Sequence, residues 1–286
     1  RIAPEGATVT SYHQLCDRLY RGAGGVPDFA QADAFSRIEA FMTDCPAPAG
    51  DCYDELIVDE GQDFKSAWLA PLLALLRPDG RAWWLEDPMQ NLYAREQHPL
   101  PGWVTLRAER NHRSPREVIA LIDRILERNG TAGDAVAGAG VEVLVYDDPA
   151  ALMERTKTAL TRALGAGFRK ESMLVVTFRG REQSAFTPLS RLGPHALRAF
   201  TGRYDLLGGP VYTEGNLLID SVYRLKGQSA PCVVFTEIDF ETLDERARRK
   251  LFVGMTRASM KLILVISSRA HSALGAHLAS QQAGDG

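Results

Sequence analysis

The stretch "YDELIVDEGQDF", Tyr53 to Phe64, decides how the chain is read. An apolar run, Leu56 to Val58, drives into Asp59 and Glu60. A short continuous apolar run ending in polar residues reads as a strand of a parallel sheet covered on both faces. In an open parallel sheet, ligands gather at the carboxyl ends of the strands. Two adjacent carboxylates there suit magnesium-dependent phosphate chemistry: one would ligate the metal and the next would orient or deprotonate water.

Outward from this strand the pattern repeats. Residues 7–20 lead into a helix with Leu15, Leu19 and Tyr20 on one face, and 31–43 form a second helix that "CPAPAGDC" breaks. "SAWLAPLLALL" reads as a helix, "RAWWLED" as a buried strand and 115–127 as a helix. Beyond the Gly/Ala-rich loop 130–140 come the strands "VEVLVY", "SMLVVTF", "LLIDSVY", "PCVVFTEI" and "KLILVIS". Helices are expected at 149–164, 180–192 and 243–257, and an irregular loop or small excursion at 200–216. Strands alternating with helices give an α/β fold with mostly parallel sheets. The boundary between two domains is placed at 108/109.

Composition sets outer limits. The 286 residues, 45% hydrophobic and 24% charged, are those of an ordinary globular protein of one or two domains. The longest apolar runs are too short to span a bilayer, and no basic-then-apolar leader opens the chain. The first residue is Arg1, so a fragment of a longer protein is expected. Cys16, Cys45, Cys52 and Cys232 form no CxxC pair, which fits thiols in a reducing, cytoplasmic setting. The net charge of −3 does not mark a strongly basic nucleic-acid binder. Residues 1–108 nevertheless hold 9 Lys/Arg against 16 Asp/Glu, and residues 109–286 hold 24 against 20.

Six segments in order give a sharper reading. "TSYHQL", "VDEGQD", "EDPMQNLY", "RNHRSP", "YRLKGQSAPCVVF" and "LFVGMTRA" run from about residue 9 to residue 266. The order resembles superfamily 1 helicases of the UvrD/Rep type, whose segments read T-F-H-S-L, DExQD, GDxxQSIY, NYRS, HxxKGLEFxxVF and LxYVAxTRA. The resemblance implies two RecA-like domains with ATP and Mg2+ between them, and single-stranded DNA, or RNA, across their top. It assigns Asp59 and Glu60 to the metal, and Glu60, Gln90, Arg113 and Arg257 to catalysis. Gln90 would sense the γ-phosphate, and the two arginines would stabilise transition-state charge. Gln62 and Asp63 would support the loop beside the nucleotide, and Lys226 and Gly227 would link nucleotide state to strand contact. His13 and Tyr93 would face the nucleic acid, Tyr93 as a stacking ring.

Two departures stand out. Glu86 replaces the family's Gly in the third segment, and Ser229 replaces the Glu of "KGLE", which puts the ribose contact in doubt. A phosphate loop, GxxxxGK followed by Ser or Thr, is missing, because none of the six lysines follows a Gly. The family places that loop, with a strand after it, ahead of its first segment here. The first domain is therefore expected to be truncated, its sheet exposed and prone to self-association, and the fragment inactive alone. The stretch from Pro115 to Tyr223 is too short for the family's large helical insertion, so a compact second domain is expected. The alternative is a non-catalytic module that uses a helicase-like fold to bind nucleic acid or a protein.

Overall fold

The computed structural model describes residues 5–29, 31–44, 53–96, 98–108, 110–127, 131–132, 140–204 and 209–284. "CPAPAGDC", with Cys45 and Cys52, and most of the loop at 130–140 lie outside them. The chain forms two compact units, Arg1–Pro101 and Gly102–Gly286.

In the first unit, helix α1 (Tyr12–Gly22) starts on a capping box. The Ser11 side chain accepts from the Gln14 backbone N–H, and the Gln14 side chain accepts from that of Ser11. Helix α2 (Ala34–Asp44) packs on α1. Strand β1 (Tyr53–Val58), the short helix α3 (Leu69–Leu73) and strand β2 (Leu76–Trp84) complete the unit, with β1 and β2 paired in parallel. The core joins Leu15, Cys16 and Leu19 of α1 to Ile38 and Met42 of α2 and to Val58, Trp68 and Leu72.

Neither strand is buried on both faces, as its apolar run predicts. Ile57 is 61% exposed and its cross-strand partner Trp83 47%. The reason is local: among the described residues each strand pairs only with the other, and the helices cover one face.

The second unit opens with β3 (Arg110–Asn111), α4 (Arg116–Leu126) and β4 (Thr131–Ala132), where β3 and β4 form a small parallel pair. Next come β5 (Val141–Tyr146), α5 (Pro149–Gly165), β6 (Met173–Thr177) and β7 (Arg191–Leu192). The chain goes on through β8 (His195–Tyr204), β9 (Pro210–Tyr212), β10 (Leu217–Ser221), β11 (Ala230–Ile238), α6 (Glu245–Met255), β12 (Ala258–Ser267) and α7 (Ser268–Gly284).

The sheet order is β5-β12-β11-β6-β10-β8-β7, with β9 on β8. All pairs from β5 to β8 are parallel, and only β7 and β9 run antiparallel to β8. Side chains of β11 alternate between two layers. Cys232 and Val234 join the core that includes Ala159 and Leu160 of α5, whereas Phe235 faces Gly254 of α6. A Cβ on Gly254 would lie 2.2 Å from the Phe235 ring, so helix and strand meet closely there. The α/β class and the mostly parallel sheet are those the alternating pattern predicts.

Two segments differ from expectation. Residues 180–192 form a 3-10 turn (Arg181–Gln183), further turns and β7 in place of a helix. Gly180 and Pro188 interrupt any helical run. Residues 200–216, where the sequence leads one to expect an irregular loop or small excursion, hold the end of β8 and all of β9, paired antiparallel. In β11, Glu237 takes a left-handed φ of +58° at a break in the β11–β12 register. Its side chain is fully buried and accepts from the Ala185 N–H at 2.7 Å, tying the 180–192 excursion to the sheet.

Candidate functional site

In the first unit, the parallel register sets Val58 beside Trp84, so "DEGQD" and "EDPMQ" leave adjacent strands at the same end. Two backbone bonds extend the pairing: Leu85 N–H donates to Val58 O at 2.9 Å and Gly61 N–H to Leu85 O at 2.8 Å. Glu60 turns the chain with a left-handed φ of +56°. Gly61 then fits flat against the Trp84 indole, where a Cβ would come within 2.3 Å of the ring.

A chain of side-chain bonds joins the two segments. Gln62, 4% exposed, donates through Nε2 to Glu60 Oε2 at 2.7 Å and accepts at Oε1 from the Asp87 N–H at 3.1 Å. The Asp87 carboxylate accepts from the Met89 N–H at 3.0 Å and from Gln90 Nε2 at 2.9 Å. Glu60, Gln62 and Gln90 are thus gathered around Asp87, which the sequence reading did not single out. Its signal was legible, since Asp-Pro after a strand marks the cap of a helical turn. Asp59 is exposed beside them, and its Oδ1 accepts from the Glu60 N–H at 3.0 Å. Asp63 lies in the same turn and donates its N–H to Glu60 O at 2.9 Å.

Among the described residues, no cluster of three or more His, Cys, Asp or Glu could by itself hold a metal ion. Two adjacent carboxylates fit magnesium, which keeps several waters and takes most remaining ligands from phosphates.

His13 and Tyr93 have the following surroundings. His13 Nε2 lies 2.8 Å from Glu39 Oε1, and Lys65 Nζ lies 2.5 Å from Glu39 Oε2. Burial pushes the Glu39 carboxyl up, but the bonds from Lys65 and His13 outweigh it and hold the group below its ordinary value. Tyr93 is 50% exposed, with the Arg95 guanidinium 5.4 Å from its ring centroid.

In the second unit, the Asn111 side chain accepts from the N–H groups of Arg113 (2.9 Å) and Ser114 (3.1 Å), a turn that leads into α4. Arg113 itself is exposed. The loop after β10 carries Lys226, half-buried, and Gly227 at φ +77°, a conformation that favours glycine.

Arg257, 1% exposed, follows the end of α6 and holds that loop in place. Its Nε donates to Val253 O (2.9 Å), one Nη to Gln228 O (3.1 Å) and the other to Thr256 Oγ1 (3.0 Å). The "LKGQS" and "GMTRA" segments are therefore joined by one guanidinium. Exposed Ser229, in place of the family's Glu, takes no part in these bonds.

Residues 216–265 match the family model of the UvrD-like helicase C-terminal domain. No curated protein matches the chain. Similar solved structures include the C-terminal domain of a possible DNA helicase from Lactobacillus plantarum WCFS1. It is 15% identical with a TM-score of 0.40, over 57% of this chain and 96% of that one. Arterivirus nonstructural protein 10, a helicase, is 18% identical with a TM-score of 0.37, over 76% of this chain and 40% of its own length. Its complex with DNA gives 18% and 0.40 over 81% and 44%. The assignment to a family rests on residues 216–265. No helix among the described residues is long and apolar enough to cross a membrane.

Proposed function

From a chain that carries a UvrD-like helicase C-terminal domain, we propose an ATP-dependent superfamily 1 helicase or translocase acting on single-stranded DNA. The observation that carries this reading is the family match over 216–265, which encloses Lys226, Gly227 and Arg257. The bonded chain from Glu60 to Gln90 supports it, because it couples a candidate water-orienting carboxylate to a candidate phosphate-sensing amide.

In this reading Asp59 holds the magnesium, which when bound neutralises phosphate charge. Glu60 orients water and receives its proton at the carboxylate, which Gln62 Nε2 steadies. Gln90 is held by Asp87 ready to meet a phosphate oxygen. Arg113 and Arg257 are assigned to the stabilisation of transition-state charge. His13 and Tyr93 are assigned to the strand of DNA. Lys226 and Gly227 are assigned to the loop that relays nucleotide state.

The 286 residues contain no Gly-Lys pair, so hydrolysis requires a phosphate loop supplied from outside them. The test is Glu60→Gln in the intact protein. Nucleotide binding should persist while ATP turnover falls to background. Turnover retained at the unaltered rate would show that Glu60 is misassigned. The 286-residue chain alone should show no turnover.

A further inference from the structure

The β8–β9 hairpin carries three aromatic rings that none of the six segments contains. Phe200 and Tyr212 are cross-strand partners, and Tyr204 lies four residues along β8 on the same face. The Phe200 ring centroid lies 5.3 Å from that of Tyr204 and 6.0 Å from that of Tyr212.

Three arginines lie over these rings. Arg224 sits 3.6 Å and Arg181 5.4 Å from the Phe200 centroid, and Arg198 sits 5.2 Å from that of Tyr212. Arg224 is anchored, donating to the buried Asp220 carboxylate at 3.0 Å and to the hydroxyls of Tyr204 and Tyr212. Gly202, at φ +87°, leaves room for Arg181, whose Nη1 would lie 2.8 Å from a Cβ at that position.

Arg181 and Phe200 border a cleft that also takes in Thr177 and Ser221, the last residues of parallel strands β6 and β10. That is the end of a parallel sheet where ligands bind. The Arg181 Nε is buried there without a hydrogen-bond partner. The described residues of β8 and β9 include no carboxylate, and the nearby Asp220 is matched by Arg224. Tyr204 is 52% exposed, and Arg198 and Arg203 are exposed.

The geometry points to a binding platform for single-stranded nucleic acid on this hairpin. Bases stack on Tyr204 and the rings beside it, and Arg198 and Arg181 meet the backbone phosphates. Stacking of this kind needs unpaired bases, because a duplex keeps its faces to itself. The inference rests on the preceding section only for the class of ligand. The hairpin lies outside residues 216–265, though Arg224, held by Asp220, reaches it from within them.

The test is fluorescence anisotropy of the whole 286-residue chain with a labelled oligothymidylate over a range of salt. Tyr204→Ala should weaken binding about tenfold, and Tyr204→Phe should not. Arg198→Ala and Arg181→Ala should each lower the slope of log affinity against log salt by about 0.7. A duplex of the same length should compete poorly. Alanine variants that bind with unaltered affinity and slope would overturn the platform and leave the helicase reading untouched, since that reading stands on Glu60 and ATP turnover. No binding by the unaltered chain would also overturn it, and would turn attention to a protein partner. Because Arg181→Ala can disturb folding, the unaltered chain is also cross-linked to a bromodeoxyuridine oligonucleotide. Adducts are expected on residues 195–204 or 210–212, and an adduct set that omits them overturns the proposal.

Discussion

Gly61→Ala tests whether the turn after β1 is held by contact with Trp84. Gly61 has no positive φ, so its backbone accepts alanine and only space is at issue. The added Cβ would stand 2.3 Å from two atoms of the Trp84 indole. Neither side yields easily. The Trp84 ring packs edge-on against Phe64 and His98 and donates to Glu86 Oε2 at 3.0 Å, and Gly61 is bonded to Leu85. Overpacking of this kind costs about 1–3 kcal/mol. With a urea slope of about 2 kcal/mol per molar, the unfolding midpoint should drop by about 1 M. Tryptophan fluorescence follows the right unit, since Trp68, Trp83 and Trp84 lie in the first and Trp103 in the second. In a Trp84→Ala background the clash is gone, so Gly61→Ala should then cost under about 0.5 kcal/mol. Additive losses in the double variant would refute the contact as the cause.

Three further outcomes are expected. The Asp239 carboxyl is held down to about 2, first by the bond from Arg269 and then by Ser267 and Arg179, against the opposing effect of burial. A depressed carboxyl stabilises above its unfolded value and loses that contribution as pH falls from about 4 to about 2. Asp239→Asn should therefore cost about 1 kcal/mol at pH 7, after screening of the half-exposed arginines, with no difference near pH 2. A pH-independent cost would show that shape, not charge, matters. Burial raises the Glu237 carboxyl, so its contribution is present below about pH 4 and is lost as pH rises. Glu237→Gln should unfold at higher urea than the unaltered chain at pH 8 and at equal urea near pH 4; the unaltered chain being more stable at both would contradict this. Finally, Ile57→Lys on the open β1–β2 face should reduce concentration-dependent association in sedimentation velocity. Identical profiles would place any association elsewhere.

Helices α1, α2, α4, α5 and α6 and the central strands were legible because periodicity and capping residues act locally, whereas α7 was not read. Ser11 with Gln14 marks the start of α1, and Asp148 and Asp244 cap α5 and α6 by accepting from Ala151 and Ala247. The apolar runs of β6, β11 and β12 match strands buried on both faces. The same kind of run misled at Leu56–Val58, because hydrophobicity states what a strand can bury and not whether a neighbour is there to cover it. The β8–β9 hairpin was missed for a different reason. Its face is filled by Arg181 and Arg224 lying over aromatic rings, a packing between residues far apart in sequence that no local pattern announces. At the candidate site, the segments themselves were readable, but the link between them through Gln62 and Asp87 required the parallel register. The resemblance implies that Arg257 is a finger for phosphate. In the fold its donors clamp Val253, Gln228 and Thr256.

The order of strands has a consequence for dissection. The family segment 216–265 contributes β10, β11 and β12, but β6 stands between β10 and β11, paired to both through residues 173–177. A peptide cut to the segment's limits would lose the strand that joins its parts, leaving β10 without a partner strand and an open edge on each of β11 and β12. What is contiguous in evolution is here discontinuous in the fold. The smallest autonomous piece must reach back past Met173, and further still to include α5, which covers the same sheet.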